Sequence, residues 1–303
     1  MKLKNIADGV YPVMLTPFNE DGTIDYDSLI RLTKWYEREG ANGLFAICQS
    51  SEIFTLTIDE KIAITKTILE NTSLPVVASG NTQNTLESQI AEMRKVADTG
   101  VESVVLLTNM FANEEESDDI LITNLSKFID SFDRDVPLGL YECPYPYKRL
   151  LSKKVIEYIL STGRFIFLKD TSCDINMINE RLSLIKGSNF KLYNAHAFTL
   201  IDSLKNGASG YSGIHANFST KLMSDIYCQH NMEEAIKEAL DLMAETDDFA
   251  SNNLYPVCAK ELMVLRGIFN SRYTRVKDHR KFSIENTENS QSIYAKILTY
   301  EGK

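Results

Sequence analysis

Lys169 closes a run of large apolar residues, FIFLK at 165–169. An amine held among such neighbours has its charged form disfavoured, so its pKa falls and free amine becomes available as a nucleophile. That amine can condense with a ketone to give an iminium, which is an electron sink. A lysine at a strand end also reads as a solvated terminus whose stem snorkels to water. Its companions must decide between the two. Tyr141 closes a second apolar run, PLGLY at 137–141, and offers a phenol as proton shuttle. Gln49, Ser50 and Ser51 follow a third, GLFAI at 43–47. Hydroxyls and backbone N–H groups in that turn suit the carboxylate of a 2-keto acid.

These residues share a place only if the chain builds a particular scaffold. Eight short β-rich runs alternate with amphipathic segments: 10–15, 43–47, 75–79, 103–107, 137–141, 165–169, 190–194 and 210–214. Between them, Leu29, Leu32, Trp35 and Tyr36 fall on one helical face that stops at Gly40, and capping signals stand at Thr57 with Glu60, at Thr85 and at Ser152. Uninterrupted β-then-α units with apolar strands predict a (β/α)8 TIM barrel. The rival, a doubly wound sheet, needs a Gly-rich fingerprint after the first strand, where the chain reads Thr16-Pro17-Phe18-Asn19. After about residue 217 the pattern is helical, over 217–229, 232–247, 252–268 and 290–300, with an irregular linker at 270–290. The expected organisation is a barrel over 1–229 and a C-terminal helical extension over 230–303.

Active sites of such barrels lie at the C-terminal ends of the strands. The strand ends supply Thr16, the Gln49–Ser51 turn, residues 108–111, Tyr141, Lys169 and Thr171, Asn194 and His196, and residues 212–215. They hold no carboxylate pair and no nucleophilic Ser or Cys beside a histidine. The four histidines (His196, His215, His230, His279) form no metal-binding pattern, so no metal is expected. Five scattered cysteines without CxxC suggest neither disulfides nor zinc. A formal net charge of −10 argues against nucleic acid. No run is long enough to span a bilayer, and the opening MKLKNIADGVYP lacks a secretory core, so a cytoplasmic protein is expected.

The chain resembles the dihydrodipicolinate synthase/N-acetylneuraminate lyase family of class I, Schiff-base aldolases. The similarity runs over nearly the whole length and includes residues 10–25, 43–57, 140–144, 167–172, 207–218 and 252–263. The resemblance implies that Lys169 forms the Schiff base with pyruvate or a related 2-keto acid and that Tyr141 shuttles the proton. Ser50 falls in the family's carboxylate-binding turn, with Gln49 where a hydroxyl residue is usual and Ser51 where glycine is usual. Glu52 matches that motif's glutamate and is expected to brace the turn. Thr171, Ser212, Phe111 and His196 are further substrate-side candidates, and Glu142 is a polar contact at the mouth. No organic cofactor is implied, and a homotetramer of two dimers is.

Departures from the pattern narrow the substrate. Phe111 stands where synthases of aspartate semialdehyde carry a tyrosine that reaches a neighbouring subunit's site. Pro146 stands where they carry a carboxylate-gripping arginine, and Arg149, three residues further on, is the arginine to test in its place. Ala197 and Phe198 replace the acidic pair of sialic acid lyases. Thr171 tilts the reading to aldol cleavage or condensation of a 2-keto acid with an aldehyde. Two alternatives stay open: a true dihydrodipicolinate synthase, and a barrel that binds a keto acid or sugar acid without turnover.

Overall fold

A computed structural model describes residues 6–302, so residues 1–5 of the expected barrel unit and Lys303 of the extension lie outside it. Eight parallel strands curl into a barrel: β1 (Gly9–Val10), β2 (Leu44–Phe45), β3 (Val76–Ser79), β4 (Ser103–Leu107), β5 (Leu138–Tyr141), β6 (Phe165–Asp170), β7 (Lys191–Asn194) and β8 (Gly210–Tyr211). All the expected strands are present. The first is cut short because Pro12 has no N–H to give the ladder. Pairing resumes as a parallel bridge between Val13 and Phe45, which joins the β1 segment to β2 and closes the barrel.

Helices α1 (Tyr26–Arg38), α2 (Ile58–Leu69), α3 (Leu86–Ala97), α4 (Asp118–Ser131), α5 (Lys153–Thr162), α6 (Ile175–Ile185), α7 (Leu200–Lys205) and α8 (Thr220–Gln229) each follow one strand. The stripe read on α1 is the buried one: Leu29, Leu32, Trp35 and Tyr36 all face the core. Thr57 and Glu60 cap α2 reciprocally, as their spacing predicts. Helices α9 (Glu233–Asn252), α10 (Val257–Leu265) and α11 (Ile284–Tyr300) form the C-terminal layer. The linker read at 270–290 is shorter than expected. Ser283 and Asn286 make a capping box that starts α11 at Ile284. Among the described residues, no helix is long and apolar enough to cross a membrane.

Within β6 the side chains alternate. Phe167 and Lys169 share one face of the strand, Leu168 and Asp170 the other. Phe167 stacks on Tyr193, with centroids 4.7 Å apart, and meets Tyr11 and Phe45 at 5.9 and 5.7 Å. These four rings fill the barrel interior beneath the strand ends.

The seam between β1 and β8 depends on glycine. A Cβ at Gly210 would stand 1.8 Å from the Gly9 carbonyl oxygen. Backbone cannot yield as a flexible side chain can. Gly210→Ala is therefore expected to lose at least the ~1–3 kcal/mol typical of an overpacked core position, read as a lower midpoint in urea. An unchanged midpoint would contradict this account of the seam.

Candidate active site

β5 and β6 pair in parallel with a register shift between Leu138 and Gly139, beyond which Tyr141 and Lys169 are direct partners at the C-terminal ends. This pairing is locked from outside the barrel. Glu142 and Asp170, the next residue on each strand, point away from the interior and converge on Arg181 of α6. The Arg181 guanidinium meets Glu142 Oε1 at 2.5 Å and also pairs with Asp170, and all three side chains are buried. Glu142 also accepts the N–H groups of Leu151 (2.7 Å) and Thr171 (3.0 Å). Burial pushes the Glu142 carboxyl up, and the guanidinium opposes that shift. The expectation that Glu142 meets substrate is thus corrected. The strand's two-residue period turns it to the helix side, where it clamps the frame.

Lys169 is 5% exposed. Its Nζ lies 4.2 Å from the centroid of the Tyr141 ring and 5.8 Å from that of Phe45. Two other lysines are as deeply buried, and each has a carboxylate: Lys61 pairs with Glu92 at 2.6 Å, and Lys260 pairs with Glu52. The Lys169 amine has no ion-pair or hydrogen-bond partner among the described residues. Burial lowers its pKa, against small opposing contributions from the Cys48 and Cys143 thiols. Burial likewise pushes the Tyr141 phenol well up, so it keeps its proton at neutral pH.

A cavity of about 790 Å³ opens over this pair. Gln49, Ser50, Tyr141, Lys169, Thr171 and His196 all line it. Thr171 Oγ1 donates to the Glu142 carbonyl at 2.7 Å, so its hydroxyl is held against β5. His196 is half-buried, contacts Thr199 Oγ1 at 3.1 Å through Nδ1, and has its pKa lowered by burial.

Three of the expected substrate-side residues are not brought to the cavity. Ser51 is fully buried in a 3-10 turn, Gln49–Ser51, where its hydroxyl lies 2.7 Å from the Met14 carbonyl and 3.0 Å from the Ala46 carbonyl. It ties the turn to the ends of β1 and β2. Ser212 Oγ donates to Tyr11 O at 3.1 Å and also faces the barrel wall. Phe111 packs edge-on against Phe128 of α4, with centroids 5.6 Å apart. Arg149 is likewise engaged elsewhere, with Asp118 at 2.9 Å. It is Lys148 that lines the cavity, its Nζ on the Thr171 carbonyl at 2.8 Å.

Glu52 braces the turn as expected. Its carboxylate takes Lys260 and the Arg275 N–H (2.6 Å) from the C-terminal region. The same region adds cavity residues that the strand ends do not show: Asp247 of α9, Tyr255 between α9 and α10, and Arg275. Asp247 Oδ1 lies 3.2 Å from Nε2 of His215, whose Nδ1 contacts Tyr211 Oη at 2.7 Å. Among the described residues no three His, Cys, Asp or Glu side chains stand together as a metal would require.

A parallel barrel that opens a cavity over one unpaired, buried amine and a phenol has the frame of an aldolase. Residues 7–278 match the dihydrodipicolinate synthetase family, and the chain belongs to that family of lyases. The 4-hydroxy-tetrahydrodipicolinate synthase of Haloarcula marismortui is 25% identical over 280 residues, 89% of each chain. That of Pseudoalteromonas atlantica is 23% identical over 299 residues, 97% of this chain and 98% of the other. The dihydrodipicolinate synthase structure from Acinetobacter baumannii, complexed with pyruvate, is similar with a TM-score of 0.82 at 19% identity, covering 96% of this chain and 99% of that one.

The clamp and the amine make opposite predictions for stability. Arg181→Leu leaves two buried carboxylates without their cation and is expected to destabilise the fold by about 3–5 kcal/mol, measured by urea denaturation. Retention of wild-type stability would show that the clamp does not hold the strands. Lys169→Met removes an amine whose pKa is lower folded than unfolded. Between those two values the unfolded chain binds more protons, so the wild type gains stability as pH rises. The Met variant should melt higher than wild type at pH 7, and its advantage should shrink toward pH 10. A constant difference across that range would contradict the assignment.

Proposed function

We propose that this protein is a Schiff-base aldolase acting on pyruvate or a related 2-keto acid and an aldehyde, without a metal or organic cofactor. Lys169 carries the reading, because it is a deeply buried lysine without a carboxylate partner among the described residues and it faces a phenol in a substrate-sized cavity. The free amine adds to the ketone carbonyl to give a carbinolamine. Loss of water yields the iminium, and loss of a proton from C3 yields the enamine. The enamine carbon bonds to the aldehyde carbon, whose oxygen takes up a proton, and water releases the product from lysine. Cleavage is the reverse sequence. Tyr141, protonated at neutral pH, gives and takes the proton at the carbinolamine and aldehyde oxygens. Ser50 and the Gln49 side of its turn receive the keto acid's carboxylate.

An aldehyde that itself bears a carboxylate is the second reading. It is favoured by Lys148 on the cavity wall, and by the synthase names of the relatives, rather than by Arg149, which is held by Asp118. We also propose that the extension over 230–303 belongs to the catalytic unit, since Asp247 and Tyr255 line the cavity. A homotetramer in solution is part of the same proposal.

Borohydride reduction in the presence of pyruvate should leave a stable adduct on Lys169, seen by intact mass and peptide mapping and lost in Lys169→Ala. A panel of aldehydes with and without a carboxylate would then name the second substrate. If the folded protein traps neither pyruvate nor other 2-keto acids, the aldolase reading falls, and a keto-acid-binding barrel takes its place.

A further inference from the structure

We propose that Tyr255, supplied by the C-terminal layer, is a positioning residue that fixes the direction of the Ser50 hydroxyl, so that Ser50 donates its proton into the cavity. This rests on the aldolase reading of the site.

Three groups form a directed chain of hydrogen bonds. Asn217 Nδ2 donates to Tyr255 Oη at 2.9 Å, and Tyr255 Oη donates to Ser50 Oγ at 2.8 Å. A phenol has one proton, and here it is committed to Ser50. The serine oxygen is thus already an acceptor on that side. Its own proton is the remaining donor, available to a carboxylate or to an oxygen that gains charge during reaction. Burial raises the Tyr255 pKa, so the phenol stays protonated and continues to donate.

The chain joins three distant parts of the fold. Asn217 ends the 3-10 turn after β8, Tyr255 lies between α9 and α10, and Ser50 lies in the turn after β2. Tyr255 and Ser50 both line the cavity that holds Lys169, so the contact is not an incidental one at the periphery. The backbone supports this placement. Leu254, directly before Tyr255, has φ 57°, a left-handed conformation that is uncommon for any residue but glycine. Such a conformation persists where the surroundings require it, and it presents the phenol to Ser50. The need is visible in the site itself. Gln49 brings no hydroxyl to the turn, and Phe111 brings none from the β4 end, so Ser50 is the hydroxyl of that turn that reaches the cavity.

A double-mutant cycle tests this. Tyr255→Phe keeps the ring and removes the donor. It should slow formation of the borohydride-trapped pyruvate adduct on Lys169, and lower kcat/KM, by roughly tenfold, while the adduct still maps to Lys169. In a Ser50→Ala background the same change should have less than about a twofold effect, because Tyr255 acts through Ser50. Asn217→Asp keeps the size of the side chain but takes the phenol's proton, and it should reproduce the Tyr255→Phe loss. Wild-type rates in Tyr255→Phe, or an equal loss in both backgrounds, would overturn the proposal. The second outcome would mark Tyr255 as a packing residue. No adduct on the wild-type chain would instead remove the aldolase reading, and this inference with it.

Discussion

The arrangement of the site depends on one buried guanidinium. Arg181 reaches from α6 to Glu142 and Asp170, each one residue beyond a candidate site residue, Tyr141 or Lys169. Because side chains alternate along a strand, fixing the outward residue fixes the inward one. Tyr141 and Lys169 are held level by a contact on the opposite face of the sheet. Thr171 is drawn into the same arrangement, since its N–H and hydroxyl both bond to Glu142. Taking three charged groups out of water is unfavourable unless each finds hydrogen-bond partners. Here the carboxylates receive backbone N–H groups as well as the guanidinium, and Arg181 also donates to the Leu151 carbonyl.

With charge confined to the outer face, the interior can be kept apolar. Beneath the cavity lie the rings of Tyr11, Phe45, Phe167 and Tyr193. This separation distinguishes the buried lysines. Lys61 and Lys260 sit where a carboxylate from another element can reach them, and both act as struts. Lys169 sits over aromatic rings, and the carboxylate beside it in sequence, Asp170, is turned to the far side of the strand. Its lowered pKa follows from that geometry. The protein maintains a locally unfavourable group at the point where its chemistry would occur.

The sequence made the scaffold legible because parallel strands buried on both faces are apolar runs, and because helix caps and stops are local. Lys169 and Tyr141 were legible for the same reason: each ends such a run. Residues one step away were not. Glu142 is next to Tyr141 in sequence yet faces α6, and Ser51 is next to Ser50 yet turns into the wall. Adjacent positions on a strand or tight turn differ in direction, and strand-end proximity does not encode direction. Tyr255 was hidden differently. It lies in a segment that carries the family likeness, residues 252–263, but outside every strand end. Its contact with Ser50 spans 205 positions, and no periodicity carries information over that distance. Three non-glycine residues with positive φ, Glu52, Cys173 and Leu254, line the cavity or directly precede a residue that does. None has a residue type that would signal a left-handed backbone.

The contacts that join the C-terminal layer to the turn after β2 also bear on synthesis. Ser50 and Glu52 leave the ribosome about two hundred residues before Tyr255 and Lys260, their partners. Contacts of such separation form late, because a long loop must close before they return any stabilisation. β5 and β6 are complete well before that. Until then the cavity over Lys169 lacks Asp247 and Tyr255 from its wall. It acquires its final surroundings only when the last helices dock. The enclosed cavity is thus a property of the finished chain, and a chain truncated before the last helices carries Lys169 without that enclosure.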